Sequence, residues 1–386
     1  MTTSIPKPTT PRVRLDYIDA LRGIAALMVM ICHCVQIDST LHLAPHTSEV
    51  MEAFKYGVQL FFVISAFTIF YSLYSSDAGT YNFFIRRFFR IAPLYFVAVI
   101  GYGFLYGADA LGLGLNIAFL HGFSPKYINS VVPGGWSIGV EMVFYCMVPF
   151  LFRLVTSIRS ALYFFLGTLL LSFLLFYIYR KAVAPTSDLE SFMYFWLPNQ
   201  LPAFGLGIIV YFLTFQGVSN SIRNTFYPLT ILALLILFVL ITGYPIFSTH
   251  VLFAAASGLF IFMLKVKSFP GIVNRMTLYL GKISYSLYLS QYAAIYIVQR
   301  TGLFSFFKTK TGLYAYLNTG VNLIMLFITT VVLSFILYHV IELPFQNFGK
   351  RFLKSRISYS DIMPADKEGS VKAVADKNRF ISKQGV

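Results

Sequence analysis

The chain predicts an all-α fold, a polytopic membrane helical bundle of about ten transmembrane helices with both termini cytoplasmic. Three observations carry this reading. Of 386 residues, 57% are hydrophobic and 12% are charged, about half the charged share of an ordinary soluble domain, and mean hydropathy is +0.71. The apolar residues gather into runs close to the roughly 20 residues that cross a bilayer. The basic residues fall between those runs, mostly on one side. The net charge of +15 is therefore a topology signal; no single basic patch forms, and no nucleic-acid partner is expected.

Residues 1–16 are polar and Pro-rich, a cytoplasmic segment with no cleavable signal sequence. The transmembrane domain, 17–349, begins with a run at 18–37, which holds Asp19 and Arg22 near its start and His33 near its far end. The run 54–74 is aromatic and aliphatic throughout. The third, 91–107, follows the cluster Arg86-Arg87-Phe88-Phe89-Arg90. The stretch 108–135 is too short to span: Leu111 to Leu120 is broken by Gly112 and Gly114, so it lies at the interface or re-enters. Trp136 opens the fourth run, 136–156, as an interfacial anchor. Leu- and Phe-rich runs follow at 160–179, 192–215, 226–243 and 247–264. The ninth, 279–299, starts among the hydroxyls of Lys282-Ile283-Ser284-Tyr285-Ser286-Leu287-Tyr288, which suit helix packing. The tenth, 314–340, ends at His339, whose i,i+3 spacing to Glu342 suggests a structural pair. Beyond it, residues 350–386 form a basic amphipathic stretch, Lys350 to Arg356, for anionic headgroups, and a polar tail from 358 expected to be disordered. No internal repeat is evident, which weakens an inverted-repeat transporter reading.

With the N-terminus inside, 23 of the 30 Lys and Arg fall on cytoplasmic segments and 7 outside, as the positive-inside rule requires. Losing one span would invert half of this and break the bias.

Ionisable groups inside a membrane are costly and mark function. Arg22 and His33 are eleven residues apart, about three helical turns, so they share a face about 16 Å apart along the axis. Neutral imidazole is the usual general base near neutral pH; a packing histidine is the other reading of His33. Cys32 and Cys34 flank it on other faces, so no metal site is expected. Asp19, at i−3 from Arg22, offers an intrahelical ion pair, and Gly23 leaves room for a close neighbour. Arg86, Arg87 and Arg90 can grip phosphates bidentately at a helix start, or simply anchor the helix. Glu141 lies one turn into the fourth helix from the outside and needs a partner. His33 enters the same leaflet, so a Glu141–His33 contact would orient the imidazole; Ser137 at i−4 is the alternative. His42 and His46 straddle Pro45 in a loop, and His121 is expected to face the outer surface.

Together these clusters resemble acyltransferase family 3 of membrane proteins. The matching elements are Arg22-x10-His33, Arg87-x-x-Arg90, and Trp136-Ser137…Glu141…Phe144-Tyr145, in order over about residues 14–350. Phe61 to Phe67 is similar to that family's second helix, where Gly is common at the position of Ala66. The resemblance implies O-acylation, usually O-acetylation, of extracytoplasmic carbohydrate such as lipopolysaccharide O-antigen or exopolysaccharide. The enzyme would sit in the bacterial inner membrane, with acetyl-CoA as cytoplasmic co-substrate and no bound cofactor. His33 and Glu141 would be catalytic. Arg22, Arg86, Arg87 and Arg90 would hold the donor, and Asp19, Trp136, Ser137 and Tyr145 would support them. A transporter or flippase of a lipid-linked sugar is the alternative, as is a His-containing membrane-bound O-acyltransferase of an unrelated type. The transporter reading does not explain an arginine cluster on the side that coenzyme A would occupy.

Overall fold

In a computed structural model the chain is described over residues 14–75, 79–182, 186–215, 249–267, 269–302 and 304–362. Among the described residues there are helices and no strand. The expected span 226–243 and the end of the tail lie outside them. Among the described residues, eight helices are long and apolar enough to cross a membrane, so the chain is a multi-pass membrane protein.

The elements run in order as α1 (Asp16–Cys34), α2 (Pro45–Ala53), α3 (Gly57–Tyr74), α4 (Gly79–Tyr106), α5 (Ala110–Ile117) and α6 (Trp136–Leu154). Then come α7 (Ile158–Ala182), α8 (Ser187–Phe195), α9 (Leu197–Phe215), α10 (Thr249–Val266), α11 (Arg275–Lys282), α12 (Ser284–Thr301), α13 (Gly312–Leu337) and α14 (Leu343–Ile362). The ninth expected span, 279–299, is two helices meeting at Ile283. Its longer part, α12, is not among the eight apolar candidates. Ser284, Ser286, Ser290, Gln291 and the tyrosines between them dilute its hydropathy, and most of these side chains are buried. A helix enclosed by other helices need not be apolar towards lipid.

Position in the bundle follows from which faces are apolar. Helix α3 is buried on nearly every side and forms the centre. Helix α7 buries only Ala161, Thr168 and Tyr179 and turns most of its Leu residues and Phe173 outward, as lipid permits and water would not. Where helices meet, small residues set the distance. A Cβ on Gly281 would fall 1.8 Å from the Asp19 carbonyl oxygen, and one on Gly23 2.6 Å from that of Thr277. The room expected beside Gly23 is thus taken by α11. Across α3 and α9, a Cβ on Gly207 would lie 2.3 Å from the Val63 carbonyl oxygen and 2.9 Å from the Ala66 Cβ. The glycine that the second-helix motif lacks at Ala66 stands on the partner helix instead.

Two expectations are corrected. His121 does not face the outer surface: it is fully buried. The 108–135 segment folds back under the start of α6, where His121 Nε2 lies 3.1 Å from the Gly135 carbonyl oxygen and 3.4 Å from Tyr95 Oη. His339 and Glu342 do not pair. A π turn at Tyr338–Glu342 widens the helix and rotates Glu342 inward, where it accepts hydrogen bonds from Ser286 Oγ at 2.6 Å and Gln346 Nε2 at 3.0 Å. His339 Nδ1 lies 2.9 Å from the Phe335 carbonyl oxygen on the exposed side.

Candidate active site

Two cavities lie one above the other along α1. The first is tight, about 70 Å³, and is lined by Arg22 from α1, Ser65 from α3, Arg87 and Arg90 from α4, Ser137, Glu141 and Tyr145 from α6, and Tyr285 and Tyr288 from α12. The second is about 570 Å³ and holds His33, with Gln36, Asp38, Trp136, Tyr194 and Tyr292 among its walls. The spacing of Arg22 and His33 thus delivers one to each cavity from a single helix face.

In the tight cavity the charges are tied together. Arg22, its side chain 14% exposed, pairs with Asp19 Oδ1 at 3.2 Å and reaches Thr68 Oγ1 at 3.4 Å. Asp19 in turn holds Arg14 at the helix start, 3.1 Å away. Glu141 Oε1 accepts from Ser65 Oγ at 2.5 Å and from the Tyr145 hydroxyl one turn on. Arg87 Nη1 donates to that hydroxyl at 3.3 Å, and its guanidinium rests on the rings of Tyr145 and Phe83. The carboxylate is therefore linked to Arg87 through the Tyr145 hydroxyl, and Arg90 lines the same wall. Arg86 is exposed and points away from this cavity. The i,i+3 pair Arg87 and Arg90 shares the inward face, and Arg86 lies off it.

The expected Glu141–His33 contact is replaced by other partners. Glu141 belongs to the arginine cavity, and His33 faces the other one. Tyr292 Oη lies 3.1 Å from His33 Nδ1, the two rings tilt at 4.7 Å between centroids, and Gln36 Nε2 is 3.1 Å from the same nitrogen. Both partners gather at Nδ1, and Nε2 is the less engaged ring nitrogen, 3.5 Å from Tyr292 Oη. Trp136 stacks on Phe195 at 4.6 Å on the His33 side. Its neighbour Ser137 faces the arginine side and bonds Tyr288 Oη at 2.9 Å rather than Glu141.

On the rim of the larger cavity, Asp38 gathers Lys310 Nζ at 2.7 Å, Ser305 Oγ at 2.5 Å and Thr40 Oγ1 at 2.5 Å. Burial would raise its carboxyl, but these hydrogen bonds outweigh burial and hold it well below the usual carboxylate range. This pins the end of α1 to the 304–310 connection.

Sequence reasoning missed Ser65, Tyr285, Tyr288 and Tyr292. The tyrosines stand at i, i+3 and i+7 on α12, one face of a helix. That stripe was visible, but in an aromatic-rich membrane chain it also fits packing. Ser65 meets Glu141 across 76 residues, which no local pattern reports.

The fold and cavities define a multi-pass membrane protein with an arginine-lined chamber and a separate histidine chamber inside one bundle. The family model for an acyltransferase domain, that of acyltransferase family 3, matches residues 15–339. The chain belongs to that family, and it is an acyltransferase. It is 27% identical over 302 residues to "Putative acetyltransferase ORF330" of Acidianus two-tailed virus, covering 74% of this chain and 84% of that one. It is 28% identical over 165 residues to "Acyltransferase MdmB" of Streptomyces mycarofaciens, covering 38% and 42%. No solved structure matches.

Proposed function

We propose that the chain transfers an acetyl group from cytoplasmic acetyl-CoA to a hydroxyl of an extracytoplasmic polysaccharide, such as O-antigen or exopolysaccharide, in a bacterial inner membrane. The observation that supports this best is that one face of α1 carries Arg22 into a cavity with Arg87 and Arg90, and His33 into a second cavity farther along. Positive-inside charge bias sets the arginine end in the cytoplasm, where the phosphates of coenzyme A are. Guanidiniums suit those phosphates because they bind them bidentately. The larger cavity then opens outward, and its Gln36, Asp38, Asn129, Trp136 and Tyr194 provide the mixture of hydrogen-bonding and aromatic groups that sugars need.

His33 would take the proton of the acceptor hydroxyl on Nε2, the ring nitrogen less engaged by Tyr292 and Gln36. The oxygen attacks the acetyl carbonyl carbon, the carbon–sulfur bond breaks, and the coenzyme A thiolate leaves and recovers a proton from the imidazolium. Tyr292 and Gln36 hold the ring in place for this. Glu141 acts from the other cavity: with Ser65 and Tyr145 it balances and positions Arg87, so its role is to hold the donor and not to orient His33.

The deciding experiment supplies acetyl-CoA labelled in the acetyl group to one side of vesicles carrying the full chain and a surface glycan. Ester-linked label on the glycan, lost in His33→Ala, is the expected result. Passage of unmodified glycan with no label transfer would overturn the reading in favour of a lipid-linked sugar transporter.

A further inference from the structure

The two cavities have two wall residues in common, Val58 on the first turn of α3 and Tyr288 on α12. Both are buried, at 5% and 9% exposure. Tyr288 is held by its two ends. Its ring meets Phe61 edge-on at 6.1 Å, and Phe61 lines the arginine side one turn on from Val58. Its hydroxyl lies 2.9 Å from the Gly134 carbonyl oxygen and 2.9 Å from Ser137 Oγ, which is itself 3.0 Å from that carbonyl. This closed triangle sits on the boundary, since Ser137 faces the arginine cavity and Gly134 the His33 cavity. Gly134 has φ +77°, and a Cβ there would lie 2.9 Å from the Tyr288 hydroxyl. Only glycine both adopts that backbone and leaves the hydroxyl its seat.

We propose that Tyr288, against Val58, is the septum between the donor and acceptor chambers, and that it positions the thioester while keeping it from water. This rests on the acetyl-CoA reading above. The need for a septum follows from the chemistry. The His33 chamber is roomy and polar, so water enters it, and a base that activates a sugar hydroxyl also activates water. Water attacking the acetyl carbonyl would break the same carbon–sulfur bond and give acetate, coenzyme A thiol and one proton. Enclosure is the ordinary defence against such a side reaction. The phenol ring narrows the gap, and the Ser137–Gly134 triangle decides how firmly it stays there.

Three variants in vesicles test this, each read for label on glycan and for thiol released without acceptor. Tyr288→Ala should raise acceptor-independent release by about tenfold or more as water reaches the thioester, while transfer falls. Tyr288→Phe keeps the ring but loses the triangle, and release should rise only about threefold, the scale of one hydrogen bond. Val58→Trp should plug the gap and cut both transfer and release by about twentyfold or more, with coenzyme A binding to the purified variant within about twofold. Release unchanged in Tyr288→Ala, or wild-type transfer by Val58→Trp, would overturn the septum.

If the parent neither transfers acetyl nor releases thiol, the acetyl-CoA reading fails, and accessibility still decides the septum. With Cys32, Cys34 and Cys146 changed to Ser, Ile138→Cys places a thiol in the arginine cavity. A bulky impermeant maleimide applied from the His33 side should label it only when Tyr288→Ala is also present. Equal labelling with and without Tyr288→Ala would overturn the septum.

Discussion

The arginine chamber and the His33 chamber are built from opposite materials. The first is tight and charged: Arg22 is bound to Asp19 and Thr68, Glu141 to Ser65 and Tyr145, and Arg87 to Tyr145. The second is about eight times larger by volume, and its central group is an imidazole held by a phenol and an amide. The difference teaches how a bundle can keep charge in a membrane: Asp19 pairs with Arg22 directly and the Tyr145 hydroxyl bridges Glu141 and Arg87, while His33 stands in a separate chamber.

The sharpest way to break the comparison is His33→Ala. Glycan acetylation should fall about 10³-fold, the scale of a lost general base, with coenzyme A binding unchanged by titration calorimetry. A variant that also lost donor binding would show that the chambers do not divide the labour. Next in size is Arg87→Glu, which should raise the KM for acetyl-CoA roughly 30-fold, about 2 kcal/mol of charge-assisted hydrogen bonding. Arg86→Glu serves as its control and should stay within about threefold, as an exposed charge is worth little.

A stability effect follows at the rim of the larger chamber. Asp38→Asn should lower unfolding stability by about 2 kcal/mol at pH 7 through the partners it leaves unpaired. The Asp38 carboxyl is depressed in the folded protein, so its contribution is full above the unfolded value of about 3.9 and is lost as pH falls through the lower folded one. Thermal melts of parent and variant should therefore differ at neutral pH and converge in acid. A smaller effect on donor binding than that of Arg87→Glu is expected of Tyr145→Phe, which removes the link between Glu141 and Arg87. It should raise the donor KM only about fivefold, near 1 kcal/mol, while leaving the proton-transfer step unchanged in the pH dependence of kcat.

Much of the site was legible along single helices. The eleven-residue spacing of Arg22 and His33 gave their common face, and the i,i+3 spacing of Arg87 and Arg90 gave theirs, with Arg86 left off it only once the helix was rotated into place. The Glu141–Tyr145 bond is an i,i+4 contact within α6, and so was available in principle. What misled was proximity inferred from depth in the membrane. Glu141 and His33 were assigned to one leaflet and so to each other, but depth says nothing about which way a side chain points around its helix axis. His121 was misread for a related reason, because a loop beside the membrane can fold under a helix end and bury its histidine.

Hydropathy and charge by themselves determined that this chain is a helical membrane bundle, and which helices carry ionisable groups. Those features follow from transfer free energies that each segment has alone. Only the tertiary structure decided which cavity each group faces and that Val58 and Tyr288 wall both cavities. Helix rotation and spacing are set by contacts between distant segments, such as Gly281 against Asp19 and Gly207 against Val63. Burial of such pairs depends on shape, which no run of apolar residues records.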